Sequence, residues 1–464
     1  MPVSGGLNGV GAWLRERLPG LLAESGVPGA AVAVDVGGEV VEAAAGVLST
    51  ATGVEATTDS LFQIGSITKT VTATLVMQLV DEGLLDLDAP ARSVLPEFRL
   101  ADERAAQTVT VRQLLCHTSG FEGDVFTDTG KGDDCLERYV DALGGEAQLF
   151  PPGAMFSYNN AGFSVLGRIV EVLRGEPFDV CARTRLFAPL GMDHTACDPY
   201  EAVLHRTAVG HVGHKPGGPL EPTGIWALPR STAPAGSMLA MRPRDLLAFA
   251  RMHLDDGAGL LSPESVRAMR QHQVAQPDVD LGTGWGLGWE LYAGPTASGG
   301  STELIGHDGG TIGQAARLRM VPAHDLALVV LTNGGSTQQV FAEIVNRVLG
   351  ELAQIEPHSA PVPRPEALVP HASRYVGTYR TPTGETTVGL DDAGRLWLER
   401  TPLGVAADLD EPAYRTELVH WRGDSVLPLE PERGAHARMA FIGDDGRGHA
   451  LFLHTGRAEP RAAQ

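Results

Sequence analysis

The stretch FQIGSITK, residues 62–69, places a serine where a helix begins and a lysine one turn later. From Ser66 to Glu82 apolar residues recur along one stripe, and Gly83 is placed to end the helix, which we expect to be buried. Side chains three residues apart share a helix face, so Ser66 and Lys69 can point into one cleft. The helix N-terminus favours a developing alkoxide and disfavours a protonated lysine, so Lys69 could accept the serine proton. Alone, this pattern also fits a capped helix with a surface lysine.

Outward from this helix, the sequence predicts one antiparallel sheet with strands from both ends of a large domain. The predicted elements are a helix over 7–24, strands over 30–36 and 40–47, strands over 303–307, 314–321 and 326–332, and a helix over 338–352. Between them, roughly residues 84–270 mix short helical patterns with many Gly and Pro loop signals. We expect an α+β fold, an antiparallel sheet flanked by helices, with an all-helical lobe inserted between its strands.

A proline-rich stretch, IEPHSAPVPRPEALVP, carries five prolines over residues 355–370 and favours an extended linker. We therefore expect a catalytic domain over 1–354, a linker over 355–370 and a small antiparallel, barrel-like β domain over 371–464. The small domain could buttress the large one, or it could reach the cleft with a loop and restrict substrate size.

Composition excludes several classes of partner. The chain has 464 residues, and its 36 Lys and Arg against 57 Asp and Glu give a net charge of −21, which repels nucleic acids and anionic membranes. No stretch approaches the ~20 apolar residues that span a bilayer, and the N-terminus lacks the pattern of an export signal. The protein is expected in the cytoplasm. Its four cysteines show no metal-ligand spacing and are expected to be reduced.

Two further elements bear on chemistry. Tyr158-Asn159-Asn160 follows a Pro-Pro-Gly turn, where an aromatic residue beside two amides has no obvious role in a core. GHDGG, residues 306–310, closes a predicted strand, and its glycines let a substrate backbone approach closely. Each element alone is explained by a turn.

Taken in order, Ser-x-x-Lys, Tyr-x-Asn and His-x-Gly resemble the serine β-lactamase and penicillin-binding-protein superfamily, most closely its class C-like branch. His307-Asp308-Gly309 stands where many members carry Lys-Thr-Gly. Two framework stretches, VTVRQLLCHTSG over 109–120 and GWGLGW over 284–289, also resemble that branch. The resemblance covers roughly residues 7–352.

The resemblance implies roles for these residues. Ser66 would attack an acyl carbonyl and form an ester intermediate. Lys69 and Tyr158 would relay its proton, with the pKa of the phenol lowered by the neighbouring lysine, although sequence does not divide the base role between them. Asn160 would orient either the substrate or the lysine. The backbone N–H groups of Ser66 and Gly310 would form an oxyanion hole, worth ~3–4 kcal/mol per donor, with Gly309 beside them.

The histidines have competing interpretations. His307 could contact substrate, or it could be a strand-end histidine satisfied by hydrogen bonds. A neutral histidine in place of lysine weakens the expectation of a substrate that carries a carboxylate. His117 is expected to support the helical lobe rather than the reaction. His211 and His214 lie in a Gly- and Pro-rich loop without supporting ligands, and no metal or other cofactor is expected.

We therefore expect a serine enzyme acting on a small-molecule ester or amide. Cell-wall peptidase and defensive β-lactamase activities are disfavoured, because their substrates lie outside the cytoplasm. Hydrolysis by an esterase, amidase or peptidase ranks first, and transacylation to an amine or alcohol, typical of specialised metabolism, ranks second. A sensor that binds β-lactams or peptides without turnover ranks third. The sequence does not predict the oligomeric state.

Overall fold

A helix and a hairpin begin the fold in the computed structural model, which describes residues 4–213, 218–279, 281–408, 411–432 and 435–462. The elements that lead to the serine are α1 (Ser4–Ser25), β1 (Gly29–Val36), β2 (Glu39–Gly46), β3 (Phe62–Gln63) and α2 (Thr68–Asp81). A 3-10 turn, Gly65–Ile67, joins β3 to α2 and carries Ser66. The predicted helix, hairpin and second helix are all present.

Helix α2 is buried on every side, as predicted. Each residue from Thr68 to Leu79 is buried. The threonines are tolerated there because their hydroxyls donate to carbonyl oxygens, Thr70 to Ile67 at 2.7 Å and Thr72 to Pro234 at 2.7 Å. The same packing places Lys69 inside the protein.

Most of the regular secondary structure in the inserted lobe is helical. Its helices are α3 (Glu103–Thr108), α4 (Val111–Leu115), α5 (Cys135–Ala142), α6 (Asn160–Arg174), α7 (Phe178–Ala182), α8 (Pro199–Ala202), α9 (Pro243–Leu254) and α10 (Pro263–Arg270). It also contains the two-residue strands β4 (Thr195–Ala196), β5 (His211–Val212), β6 (Glu221–Pro222) and β7 (Ala240–Met241). Strands β3, β7 and β4 form a small sheet, which is too short to produce an alternating pattern in the sequence.

The main sheet is completed by strands from the end of the catalytic domain. These are β8 (Val274–Ala275), β9 (Gly284–Trp285), β10 (Glu290–Pro295), β11 (Ser301–Thr311), β12 (Gln314–Val321) and β13 (Leu326–Thr332), followed by α11 (Thr337–Ala353). The sheet has the order β2-β1-β13-β12-β11-β10-β9-β8, and β1 pairs antiparallel with β13, with Ala30 opposite Thr332. Strands from both ends of the chain therefore share one sheet, as predicted.

Strand β11 is longer than the sequence indicates. We expected it to end at His307, because consecutive glycines usually interrupt strands. It continues to Thr311, since Gly309 pairs with Ala316 and Gly310 pairs with Ala315 on β12. The GHDGG segment is therefore part of the sheet edge that faces Ser66, not a connecting turn.

The two faces of the sheet bury different helices. On β13, Leu328 and Val330 pack with α1 and α11, whereas Val329 and Leu331 pack with α2 and the lobe. This alternation follows from the two-residue period of a strand. Helix α2 is thereby held between the sheet and the lobe, with its first turn at the boundary.

A second β structure occupies the C-terminal part of the chain. Its elements are β14 (Gly377–Thr381), β15 (Gly384–Leu390), β16 (Leu396–Pro402), α12 (Gly404–Asp408), β17 (Tyr414–Arg422), β18 (Ser425–Pro428), β19 (Met439–Ile442), β20 (Phe452–His454) and β21 (Ala458–Pro460). The eight strands are antiparallel neighbours in chain order, and a bridge between Tyr379 and Arg461 nearly closes the barrel. Residues 356–371 form neither helix nor strand. The exact domain boundaries remain a prediction.

Within the described ranges, no helix is long and apolar enough to cross a bilayer. The cytoplasmic location remains a prediction from the sequence. The four cysteines are buried and unpaired with one another.

Candidate active site

Ser66 and Lys69 meet at the start of α2. Ser66 is only partly buried, whereas Lys69 is wholly inaccessible to solvent. The Nζ atom of Lys69 lies 3.2 Å from Oγ of Ser66. An accessible hydroxyl therefore contacts a lysine withdrawn from water, the opposite of the surface lysine that the pattern alone allowed.

The environment of Lys69 favours a neutral amine. Burial is the main cause that holds its pKa well below the ordinary lysine value, followed by the charge of Arg457, and Asp124 and Glu290 oppose them. No carboxylate contacts Nζ in the described structure. Its two short partners are neutral oxygens, Oδ1 of Asn160 at 2.7 Å and the carbonyl oxygen of Ala235 at 2.6 Å.

These two partners leave one position on the lysine nitrogen. A neutral amine has two N–H donors and one lone pair, and the oxygens of Asn160 and Ala235 can only accept. If both N–H groups of Lys69 are directed to them, the lone pair remains for the hydroxyl proton of Ser66. The geometry is that of a general base beside its nucleophile.

The ring of Tyr158 lies beside Lys69, with Nζ 4.8 Å from the ring centroid. Burial raises the pKa of the phenol, and the smaller effects of the Ser66 hydroxyl and of Arg457 only partly offset it. The expectation that the lysine lowers this pKa is wrong, because a buried neutral amine supplies little positive charge. The phenol therefore stays protonated, and its buried Oη lacks a well-formed hydrogen bond within the described residues.

An aromatic cluster holds the Tyr158 ring. His117 stacks on it at 4.4 Å, and Trp285 meets it edge-on at 5.7 Å. Nδ1 of His117 accepts from the backbone N–H of Asn159 at 2.9 Å, and burial keeps the pKa of His117 well below its ordinary value. A neutral His117 therefore anchors the loop that carries Tyr158. The two framework stretches noted in the sequence supply His117 and Trp285.

The glycines of β11 allow two backbones to approach each other. A Cβ atom on Gly65 would lie 2.5 Å from the backbone nitrogen of Gly310, and one on Gly309 would lie 1.9 Å from the carbonyl oxygen of Ile64. Side chains are excluded at Gly65 and Gly309, whereas Gly310 faces open space. Thus Gly309 is required by contact with the protein's own backbone, and Gly310 lies beside the Ser66 turn where an oxyanion hole would be.

His307 combines features of both interpretations. Its ring is fully buried, and Nδ1 lies 2.6 Å from the carbonyl oxygen of Asp308, which requires Nδ1 to carry the hydrogen. Burial is the main cause that lowers the pKa of His307 to about 3. Nε2 is then an acceptor, and it has no partner within the described ranges. Glu290 lies behind the ring, 3.5 Å from Nδ1.

Sequence reasoning missed the contribution of the C-terminal domain. Residues 452–460, here called the C-terminal hairpin, consist of β20, β21 and their turn. The hairpin bonds to three successive residues of the Tyr158 loop: the N–H of Tyr158 donates to the carbonyl of Gly456 at 3.0 Å, the N–H of Ala458 donates to Oγ of Ser157 at 3.0 Å, and Nε2 of His454 donates to the carbonyl of Phe156 at 2.8 Å.

Arg457, in the turn of this hairpin, lies at the site itself. Its guanidinium carbon is 5.0 Å from the centroid of the Tyr158 ring, and it forms an ion pair with Asp124. The side chain of Arg457 is 40% exposed and that of Asp124 is 10% exposed. No sequence motif distinguishes either residue, because their relationship depends on how two domains pack.

His211 is satisfied within the protein. Its Nε2 accepts from the N–H of Thr50 at 3.1 Å, and its Nδ1 donates to the carbonyl of Asn333 at 2.8 Å. His214 lies outside the described residues.

Comparison with known proteins identifies relatives over most of the chain. A family model described as "Beta-lactamase" matches residues 14–350. "Penicillin-binding protein 4" of Amycolatopsis lactamdurans is 46% identical over 373 residues, which cover 78% of this chain and 96% of that protein.

Comparison with SurE extends the similarity to the second domain. The crystal structure of SurE covers 99% of this chain and 100% of that chain, with a TM-score of 0.77 and 31% identity, and SurE has also been solved with D-Leu. The D-amino acid amidase from Ochrobactrum anthropi SV3, complexed with L-phenylalanine amide, covers 74% of this chain and 99% of that chain, with a TM-score of 0.63 and 25% identity.

Proposed function

The chain belongs to the beta-lactamase family, and from this premise we propose that it is a serine hydrolase that cleaves an ester or amide of a small molecule through an acyl-enzyme on Ser66. One observation carries the proposal. Nζ of Lys69 is buried and lies 3.2 Å from Oγ of Ser66, and its other hydrogen-bond partners in the described part of the chain are neutral oxygens. A surface ion pair or a structural lysine would not need this arrangement.

The proposed reaction begins with proton transfer from Ser66 to Lys69. Oγ forms a bond to the acyl carbon, and the negative charge moves to the carbonyl oxygen, which faces the N–H groups of Ser66 and Gly310. Collapse of this intermediate breaks the bond to the leaving group, which takes up the proton that Lys69 received, directly or through Tyr158, and Lys69 is neutral again. Water then repeats the sequence on the ester and releases the acid and Ser66.

We assign the base role to Lys69 and a donor role to Tyr158. Burial lowers the pKa of the amine and raises that of the phenol, so the amine can accept a proton while the phenol retains its own. Groups whose environments push their pKa values apart are suited to opposite roles in acid–base catalysis. Tyr158 would then protonate the leaving group or relay the proton from Lys69.

The substrate proposed is the amide or ester of an amino-acid-like acyl group, including the D configuration. Support comes from the solved relatives, one named a D-amino acid amidase and one crystallised with D-Leu. Nε2 of His307, which has no hydrogen-bond partner among the described residues, supports the same class, because it can accept an N–H of the substrate.

Acyl transfer to an amine or alcohol is the second candidate. It is favoured by the C-terminal hairpin, which packs on the Tyr158 loop and so covers one side of the site. Shielding an acyl-enzyme from water gives another nucleophile time to react. The same residues would serve both reactions.

The test measures release of p-nitrophenol from p-nitrophenyl butyrate, and hydrolysis of D- and L-leucine amide, by the wild type and by Ser66→Ala. Ser298→Ala, which changes an exposed serine, is the matched control. Intact mass records the acyl-enzyme, and product analysis with and without an added amine separates hydrolysis from transfer.

We expect turnover by the wild type and by Ser298→Ala and its loss in Ser66→Ala. Amide products formed only with added amine would favour transacylation. A persistent acyl mass without turnover would favour the binding or sensor function. Equal turnover by Ser66→Ala would overturn the proposed function.

A further inference from the structure

The side-chain amide of Asn160 links the catalytic lysine to a carboxylate. Its Nδ2 donates to Oδ1 of Asp124 at 2.7 Å, and its Oδ1 accepts from Nζ of Lys69 at 2.7 Å. An ionised carboxylate only accepts hydrogen bonds, so Asp124 decides which end of the Asn160 amide faces it. The opposite end, the oxygen, is thereby directed to Lys69.

Asp124 is in turn held by the second domain. Oδ1 of Asp124 bonds to Asn160, and Oδ2 forms the ion pair with Arg457. Arg457 follows Gly456, whose carbonyl accepts the N–H of Tyr158. A continuous series of contacts therefore runs from the C-terminal hairpin through Asp124 and Asn160 to Lys69.

We propose that Asp124 and Arg457 are positioning residues that fix the Asn160 amide with its oxygen toward Lys69, so that the lysine lone pair stays directed at Ser66. The inference rests on the proposed function, since it assigns no role to these residues apart from the Ser66–Lys69 reaction. It also gives the C-terminal domain a part in that reaction.

Loss of the carboxylate would remove this control. An asparagine at position 124 can donate or accept, so the Asn160 amide could turn and present its NH2 group to Lys69. The lysine nitrogen would then use its lone pair to accept from Asn160, and that lone pair would no longer be available to Ser66. The expected result is a slower reaction without loss of the nucleophile or the base.

The charges of Asp124 and Arg457 should change the pH profile of the reaction in a way that a purely structural role of these residues would not. The groups that face Lys69 from the surrounding elements are the hydroxyl of Ser66, the phenol of Tyr158, the rings of His117 and His307, and the charged or titratable Asp124, Glu290 and Arg457. Arg457 lowers the pKa of Lys69, and Asp124 raises it. Removing one or the other should therefore move the acid limb of the pH profile in opposite directions.

The experiment compares Asp124→Asn and Arg457→Gln in the full-length protein, with p-nitrophenyl butyrate as substrate and kcat/KM measured across pH. The matched control is Asp278→Asn, which removes a carboxylate that pairs with Arg422 and Arg438 of the C-terminal domain. Asp278 is not among the charged residues that shift the pKa of Lys69. Thermal unfolding records the stability of each variant.

Asp124→Asn is expected to lower the plateau of kcat/KM roughly tenfold to a hundredfold and to move the acid limb to lower pH. Arg457→Gln is expected to lower the plateau less and to move the acid limb to higher pH. Asp278→Asn should change neither. If Arg457→Gln does not fold, the acid limb of Asp124→Asn decides, with Arg457→Lys as the charge-preserving control whose acid limb should stay in place.

The inference is overturned if the acid limbs of Asp124→Asn and Arg457→Gln stay where the wild type has them, or if both variants behave like Asp278→Asn. Ser66→Ala distinguishes this failure from that of the proposed function. Inactive Ser66→Ala with unchanged Asp124→Asn would reject only the positioning role, whereas active Ser66→Ala would reject the reaction itself.

Discussion

The guanidinium carbon of Arg457, in the C-terminal β domain, lies 5.0 Å from the centroid of the Tyr158 ring in the catalytic domain. The backbone next to it is bound as well, because the carbonyl of Gly456 accepts the N–H of Tyr158 at 3.0 Å. Of the two roles considered for the second domain, these contacts favour the one in which a loop reaches the cleft. The C-terminal hairpin forms part of the wall of the candidate active site.

Gly456→Ala tests this contact. Gly456 has a φ of +97°, and an added Cβ would lie 2.9 Å from Cδ1 of Leu281. We expect backbone strain to lower the free energy of unfolding by about 1–3 kcal/mol. The displaced carbonyl should also loosen Tyr158 and lower kcat, which is measured with p-nitrophenyl butyrate at a temperature where the variant is folded.

Gly448→Ala is the control for strain alone. Gly448 belongs to the same domain, has a φ of +91° and faces open space. It should lose a similar free energy of unfolding, measured in urea, and keep its kcat. A contact without catalytic importance would be indicated by equal kcat values in Gly456→Ala, Gly448→Ala and the wild type.

The local part of the site could be predicted from sequence. Ser66 and Lys69 were identified because helical spacing is a short-range property, and β1 and β13 because their apolar runs are continuous. The end of β11 was misjudged because Gly309 and Gly310 are poor strand residues. Both stay in the strand because pairing with β12 holds them, and at position 309 only glycine leaves room for the turn that carries Ser66.

The long-range part of the site could not be predicted. The pKa of Tyr158 depends on its burial against His117 and Trp285. The three residues come from three separate segments of the chain. Arg457 and Asp124 meet only because two domains pack together. A salt bridge of this kind has no spacing, periodicity or composition that one sequence reveals.

Lys69→Met should remove most of the activity without removing the nucleophile. Methionine fills a similar volume in the buried site, and general base catalysis typically contributes about 10²–10⁴-fold. We expect kcat/KM for p-nitrophenyl butyrate to fall by about that factor. Lys131→Met changes a lysine outside the site and should retain wild-type activity; a comparable fall in both variants would contradict the assignment.

The pH profile should distinguish the base from the acid. Lys69 acts only when neutral, so kcat/KM should rise with pH as Lys69 loses its proton, and burial places this rise well below the ordinary lysine pKa. Tyr158→Phe should lower the plateau and leave the acid limb in place, because the raised pKa keeps the phenol protonated throughout. An acid limb that disappears in Tyr158→Phe would identify the tyrosinate as the base instead.

The acceptor at Nε2 of His307 should disfavour carboxylate-bearing substrates. We expect the wild type to prefer p-nitrophenyl butyrate over mono-p-nitrophenyl succinate, which carries a carboxylate on a chain of similar length. His307→Lys alone should change this preference little. Oε1 of Glu290 lies 3.5 Å from Nδ1 of His307, so an ionised Glu290 can neutralise the new ammonium group. In His307→Lys/Glu290→Gln the positive charge is uncompensated by Glu290, and the ratio of kcat/KM should shift toward the succinate ester by about tenfold, or ~1.4 kcal/mol.

His307→Gln/Glu290→Gln is the control, since it removes the same carboxylate and supplies a neutral side chain. Its preference should stay close to that of the wild type, and thermal unfolding should show that both double variants are folded when assayed. An unchanged ratio in folded His307→Lys/Glu290→Gln would mean that position 307 does not face the acyl group. Its burial would then be sufficiently explained by the hydrogen bond from Nδ1 to the carbonyl of Asp308 and by packing against Trp285.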